Sequence, residues 1–122
     1  MSRTILVAVE SARMRQAVAF ALRNDGYDVI EAADGEDALR RINDRPRVEM
    51  ILTGIGAASV NGAALIRSVR AVPLCKATPV IMIVTDSQAS KRRGWRQAGA
   101  TGWIVEPFTP AQLMALVRKT MR

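Results

Sequence analysis

Val48-Glu49-Met50-Ile51-Leu52-Thr53-Gly54-Ile55-Gly56 lies near the middle of the 122-residue chain and decides its fold class. Met50-Ile51-Leu52 is an apolar run of strand length that stops at Thr53-Gly54, which predicts a strand over 49–53. A loop rich in Gly, Ala and Ser follows as far as Asn61-Gly62, and a helical pattern opens at Ala63. A continuously apolar strand feeding a helix is the pattern of a parallel sheet covered on both faces. Open parallel sheets bind ligands outside the carboxyl ends of their strands, so the tip of this strand should carry the chemistry. It carries Gly54, which has no side chain to act with.

Outward from this strand, strand and helix alternate along the chain. Thr4 to Val9 reads as a buried first strand, Ser11 as a helix N-cap, and Met14, Val18, Ala21 and Leu22 as the inner stripe of that helix. Asn24-Asp25-Gly26 closes it with a residue able to take positive φ. Tyr27 to Glu31 alternates as an edge strand with one wet face. Asp34-Gly35 turns into a second helix facing inward through Ala38, Leu39 and Ile42, and Arg45-Pro46-Arg47 stops it. Beyond the central strand, a third helix covers roughly 63–71, with Leu65, Ile66 and Val69 inward, and Pro73 breaks it. Pro79 to Val84 is the fourth strand, a polar helix follows over about 88–97, and Gly102 to Val105 is a short fifth strand. Thr109 is an N-cap with Pro110 at the favoured first position, and the last helix buries Leu113, Met114, Val117 and Met121. Five alternations call for a doubly wound α/β sandwich.

Composition bounds the function. The chain has the length of one domain, and its 49% apolar and 24% charged residues are those of a soluble globular protein. It contains no apolar run near the ~20 residues of a membrane span and no leader of the secretory kind, so the expectation is a cytoplasmic protein with no membrane partner. A single cysteine, Cys75, excludes an internal disulfide. The absence of histidine removes Ser-His and Cys-His nucleophilic pairs together with the usual zinc ligand, and no metal or cofactor is expected. The net charge of +7 is unevenly placed: residues 1–62 carry eight Lys/Arg against nine Asp/Glu, residues 63–122 ten against two. Such asymmetry suits an acidic partner or a phosphate-bearing ligand, the plain alternative being a solvated surface.

At the strand tips the sequence offers Val9 and Glu10, Gly54, Val84 and Thr85, and Glu106. Two carboxylates, Glu10 and Glu106, stand there without a Lys or Arg, and no Gly-x-x-x-x-Gly-Lys loop is present to cradle a phosphate. Carboxylates without a cationic partner do not support phosphoryl transfer. Taken alone, this pocket reads as inert.

The whole chain resembles the receiver domain of response regulators, the phosphoacceptor module of two-component signalling typified by the single-domain chemotaxis regulator. The resemblance is carried by Ile5-Leu6-Val7 with Ser11 and Met14, Leu52-Thr53, Asn61-Gly62, Pro79-Val80-Ile81-Met82, Ala98-Gly99-Ala100-Thr101-Gly102-Trp103 and Pro107-Phe108. It implies a flavodoxin-like fold: one domain over 1–122, without an output domain, built as a five-stranded parallel sheet of order 2-1-3-4-5 flanked by five helices. It also implies a cis Glu106–Pro107 peptide. The resemblance lapses where the family does its chemistry. The two acids after strand 1 are Val9-Glu10, the phosphorylated Asp is replaced by Gly54, Val84 takes the Thr/Ser position with Thr85 one residue late, and the Lys is Glu106. Trp103 keeps the aromatic switch position, and the loop that commonly reads Met-Pro-Gly is Ala57-Ala58-Ser59.

The resulting expectation is a degenerate, non-enzymatic receiver that works independently of phosphorylation as an interaction module, reading a protein partner with an acidic surface. The family's partner face, formed by helix 4, strand 5 and helix 5, would hold Lys91, Arg92, Arg93, Trp95, Arg96, Trp103, Arg118, Lys119 and Arg122. Arg92, Arg93 and Arg96 share one helical stripe by their spacing of three and four. For Trp95 itself core packing is the favoured reading, since large aromatics are mostly buried. The alternative function is an effector that binds an anionic nucleotide such as cyclic di-GMP through the helix 4 arginines, whose planes stack on bases and fork onto phosphates. Duplex DNA is disfavoured, because the chain offers no recognition helix.

Overall fold

The computed structural model describes residues 3–44, 47–54, 62–85 and 92–121. Its elements are β1 (Thr4–Ala8), α1 (Ala12–Asn24), β2 (Asp28–Ala32), α2 (Gly35–Asp44), β3 (Met50–Gly54), α3 (Gly62–Arg70), β4 (Val80–Val84), α4 (Arg92–Ala98), β5 (Gly102–Val105) and α5 (Pro110–Thr120), with a 3-10 turn at Pro73–Cys75. The five strands form one sheet of order β2-β1-β3-β4-β5, parallel throughout.

Side-chain alternation sorts the core into two layers. Ile5, Val7 and Val9, with Met50, Leu52, Ile81 and Ile83, face α1 and α5 and cluster with Val18, Leu22, Leu113 and Val117. Leu6, Ala8, Ile51, Val80, Met82 and Val84 point the other way, into Ala38 and Ile42 of α2, Leu65, Ile66 and Val69 of α3, and Trp95 and Ala98 of α4. Both faces of β1, β3 and β4 are therefore dry, which is why their sequences are unbroken apolar runs.

The predicted caps at Ser11 and Thr109 are present, and Asp34 adds one that the sequence reading did not name. Ser11 Oγ accepts from the Met14 amide at 3.2 Å, and Asp34 Oδ1 accepts from the Asp37 amide at 2.8 Å at the start of α2. Thr109 and Gln112 form a reciprocal capping box with Pro110 in the first turn of α5. Gly26 takes a φ of 93°, as the turn after α1 requires. The Glu106–Pro107 peptide is cis, as the resemblance implies.

Several boundaries move. The central strand runs Met50–Gly54, one residue later than 49–53, because Gly54 still pairs with Ile83 in the ladder. Helix α4 begins at Arg92, and the part of the expected 88–97 span before it lies outside the described residues, as does the Ala57-Ala58-Ser59 loop. Met14, Ala21 and Leu39, expected inward, are only partly buried and flank the core.

Arg70, at the end of α3, ties three segments together at the amino-terminal side of β4 and β5. Its Nη1 donates to the carbonyls of Cys75 at 2.8 Å and Thr78 at 2.6 Å, while Nη2 and Nε reach the Gly99 carbonyl at 2.8 and 3.3 Å. Gly99 has a φ of 112°, and a Cβ there would stand 3.1 Å from Arg70 Nε. The glycine thus meets a backbone requirement and leaves room for the guanidinium.

Candidate functional site

The carboxyl ends of β1, β3, β4 and β5 bring together the residues singled out at the strand tips. Val9 is buried and Val84 fully so, Gly54 and Glu106 are half-buried, and Glu10 and Thr85 are exposed. A Cβ on Gly54 would find Val9 Cγ1 at 3.8 Å and Cγ2 at 4.0 Å, an ordinary van der Waals separation. The side of β3 that a residue 54 side chain would enter is thus bordered by valine methyls. The turn after β1 is held by Arg15, whose Nη1 donates to the carbonyls of Val9 at 2.8 Å and Glu10 at 3.4 Å. Its Nε lies 3.5 Å from Glu31 on β2, so the guanidinium is already engaged within the chain. Glu106 lines a groove between α1 and α5 together with Ser11 and Arg13; among the described residues, no group of three or more acidic or thiol side chains is placed to hold a metal ion.

The second site is basic. Arg93, Arg96 and Gln97 of α4 and Trp103 of β5 line an open cleft of about 610 Å³. The Arg96 guanidinium carbon stands 5.2 Å from the Trp103 ring centroid, a cation–π separation. Stacking of this kind fixes the guanidinium plane while leaving its edge donors directed outward. Arg15, Arg23, Arg40, Arg41 and Arg118 are paired with carboxylates of the chain, whereas Arg93 and Arg96 have no carboxylate partner among the described residues. Among the described residues, the positive charge of the cleft is therefore uncompensated.

The structure redraws the membership of this face. Trp95 does not belong to it: the indole is 3% exposed and packs in the core cluster with Leu65, Ile66 and Val69. Its phase on α4 sets it beside Ala98, three residues on, on the inward side. Arg118 turns away toward α1, where Nη2 meets Asp25 Oδ1 at 2.8 Å and Nε meets Oδ2 at 3.3 Å. The cause is tertiary, since α5 packs beside α1 and Asp25 is the C-cap of that helix. Lys119 is exposed, Arg92 opens α4, and Lys91 and Arg122 lie outside the described residues.

Sequence reasoning missed a mostly apolar groove of about 660 Å³ between α1 and α5. Met14, Ala17 and Ala21 on one wall carried a signal, the spacing of three and four, but Phe108, Pro110 and Leu113 on the other are brought there only by folding.

With this geometry in hand, comparison with known proteins is specific. Residues 5–118 match the family model described as the response regulator receiver domain. The chain is 29% identical over all 122 residues to the phosphate regulon transcriptional regulatory protein PhoB of Escherichia coli K12, and spans 53% of that protein's length. It is 33% identical over 110 residues to the chemotaxis protein CheY1 of Helicobacter pylori J99, with 89% of each chain covered. Among solved structures, chemotaxis protein CheY4 of Vibrio cholerae superposes with a TM-score of 0.93 at 30% identity, over 98% of this chain and 99% of that one. The receiver domain of the sensor histidine kinase PA1611 from Pseudomonas aeruginosa, solved with a magnesium ion in its active-site cleft, superposes at 0.88 with 25% identity, covering 99% and 98%. Fold, strand order and sequence agree over nearly the whole length, and the chain belongs to the response regulator receiver domain family.

Proposed function

We propose that this receiver domain signals by contact alone, without being phosphorylated, and that the α4–β5 cleft is where it meets a protein partner with an acidic surface. The observation that carries the reading is Gly54: the tip of the central strand bears no acceptor, and the space its side chain would enter is bordered by the Val9 methyls. The residues present do not fit a magnesium ion of the kind held by the PA1611 receiver domain. Such an ion takes carboxylates, phosphates and waters. The two β1-end residues here are an apolar Val9 and an exposed Glu10, and position 106 carries a half-buried glutamate. With no acceptor at position 54 and no lysine at position 106, the strand tips lack groups that would carry a phosphoryl switch.

The working surface follows from charge. Arg93 and Arg96 are uncompensated among the described residues, and Arg96 is held in orientation by Trp103. Carboxylates of a partner would fork onto these guanidinium edges. The arrangement also favours a second reading, an anionic nucleotide such as cyclic di-GMP, because a stacked arginine–tryptophan pair offers a planar platform beside phosphate donors.

Substitution separates the two. Arg93→Ala with Arg96→Ala should weaken capture of the partner from lysate at least about tenfold, which is ~1.4 kcal/mol, and raising salt from ~0.1 M to ~0.5 M should weaken wild-type capture as the Debye length contracts. Lysine at both positions should keep most of a charge-read protein contact but abolish the calorimetric heat of cyclic di-GMP, if that is the ligand. Capture that is indifferent to salt and to both alanines would remove the cleft from the account.

A further inference from the structure

We infer that the loop between α3 and β4 is a membrane-contact surface, and that the end of the domain around Leu74 docks on a bilayer carrying anionic lipid. Residues 71–79 read Ala-Val-Pro-Leu-Cys-Lys-Ala-Thr-Pro, with one charge and none of the Gly, Asn or Asp common in connections. Ala71, Pro73, Leu74 and Ala77 are exposed, Leu74 by 69%. A single exposed apolar side chain is ordinary, but several in one loop make a patch. The patch is also held firmly. Cys75 is buried, and Arg70 Nη1 donates to the carbonyls of Cys75 and Thr78, so the 3-10 turn at Pro73–Cys75 keeps Leu74 turned outward.

Cations surround it. The helices run back against the parallel strands, so their carboxyl ends gather at the amino-terminal side of the sheet, where this loop also lies. The helix dipole accounts for basic residues in a last turn, such as Arg67 of α3 and Lys119 of α5. It does not account for Arg3, Arg47 and Lys76, which stand in the segments leading into β1, β3 and β4. All five are exposed, and none has a carboxylate partner among the described residues. An open recess of about 340 Å³ brings Arg3, Leu74, Ala77 and Thr120 together, so the cations before β1 and at the end of α5 border the apolar patch.

Shape and charge choose the occupant. Apolar side chains that protrude between cations suit a bilayer interface, where the leucine enters the headgroup layer and the cations are drawn to anionic lipid. An acidic peptide would instead have to fill the recess, and the Glu49 carboxylate stands there, accepting from the Thr4 amide. The sequence predicts no membrane partner because it lacks a span, and no helix among the described residues is long and apolar enough to cross a membrane. Contact with a surface needs none. The recess shares no lining residue with the α4–β5 cleft, so the two surfaces can be tested apart.

Cosedimentation of the whole chain with phosphatidylcholine vesicles containing about 40% phosphatidylglycerol should show binding, and vesicles of phosphatidylcholine alone should not retain it. Raising salt from ~0.1 M to ~0.5 M should weaken the binding at least about fivefold as the Debye length contracts. Lys76→Gln with Lys119→Gln should weaken it about twentyfold, near fivefold for each charge. Leu74→Ser should weaken it about fivefold with an unchanged thermal midpoint, the side chain being exposed in the free protein. Arg93→Gln with Arg96→Gln should bind vesicles as wild type does. The inference is overturned if wild type ignores the anionic vesicles or binds phosphatidylcholine equally well. It is overturned too if Leu74→Ser binds as wild type does, or if the two α4 glutamines abolish binding. An acidic protein held through Leu74 by a chain that ignores vesicles overturns it equally.

Discussion

Trp95→Ala should lower the free energy of unfolding by about 3–5 kcal/mol, the range for deleting a large buried aromatic. The indole is 3% exposed and belongs to the cluster that joins α3 and α4 to the sheet, with Leu65, Ile66, Val69, Val80 and Met82. Few small side chains could refill the space, because its neighbours are themselves fixed on strands or on α3. Single domains are stable by only about 5–15 kcal/mol, so this one change removes a large share. Urea denaturation followed by circular dichroism reads it directly. Trp95→Phe, which keeps most of the volume, should cost clearly less. The effect reaches function through α4: Arg96 follows Trp95 in sequence, and a helix that has lost its anchor no longer holds the cleft in shape. A loss below about 1 kcal/mol for the alanine variant would mean that α4 is not anchored here.

Arg70→Met should cost about 2–3 kcal/mol, for a different reason. Methionine keeps the apolar stem, which isolates the guanidinium. Removing that group leaves the carbonyls of Cys75, Thr78 and Gly99 without the donors that now reach them at 2.6 to 2.8 Å. Charge-assisted bonds of this length are stronger than neutral ones, and the groups they satisfy are partly buried. Arg70→Lys should recover only part, because a single ammonium cannot span carbonyls on two different loops. The α4–β5 junction is the segment released, so amide exchange should quicken at Ala100 and Thr101 in both variants. A methionine variant within about 0.5 kcal/mol of wild type would show the clamp to be dispensable.

The fold was legible because the sheet is buried on both faces. Met50-Ile51-Leu52 and Val80-Ile81-Met82-Ile83-Val84 have no polar side to show, and that pattern admits little but a central parallel strand. Caps were legible for a local reason: Ser11 and Thr109 bond to amides three residues on. What could not be read locally was partnership across the chain. Arg118 and Asp25 are 93 residues apart, and only the packing of α5 on α1 makes them a pair. The apolar groove likewise needs one wall from α1 and the other from the segment after β5. Trp95 stands between these cases. Its size favoured a core position, which the structure bears out, although the basic residues on either side gave the helix as a whole a binding reading. The end of the central strand was off by one because glycine gives no sign of whether it still pairs, and Gly54 does, with Ile83.

The glycine at that strand tip is also where the proposed function is most exposed to test. The purified chain, and separately its Gly54→Asp variant, can be incubated with acetyl phosphate and magnesium and then weighed intact. Neither should gain the mass of a phosphoryl group, about 80 Da. Wild type lacks an acceptor at position 54. The variant gains one beside the Val9 methyls, where neither a metal-binding acid nor a lysine supports it. The added carboxylate should only destabilise the fold modestly, by roughly 1 kcal/mol. A stable adduct on wild type would contradict phosphorylation independence outright, and ready modification of Gly54→Asp would contradict the claim that the rest of the pocket no longer supports the chemistry.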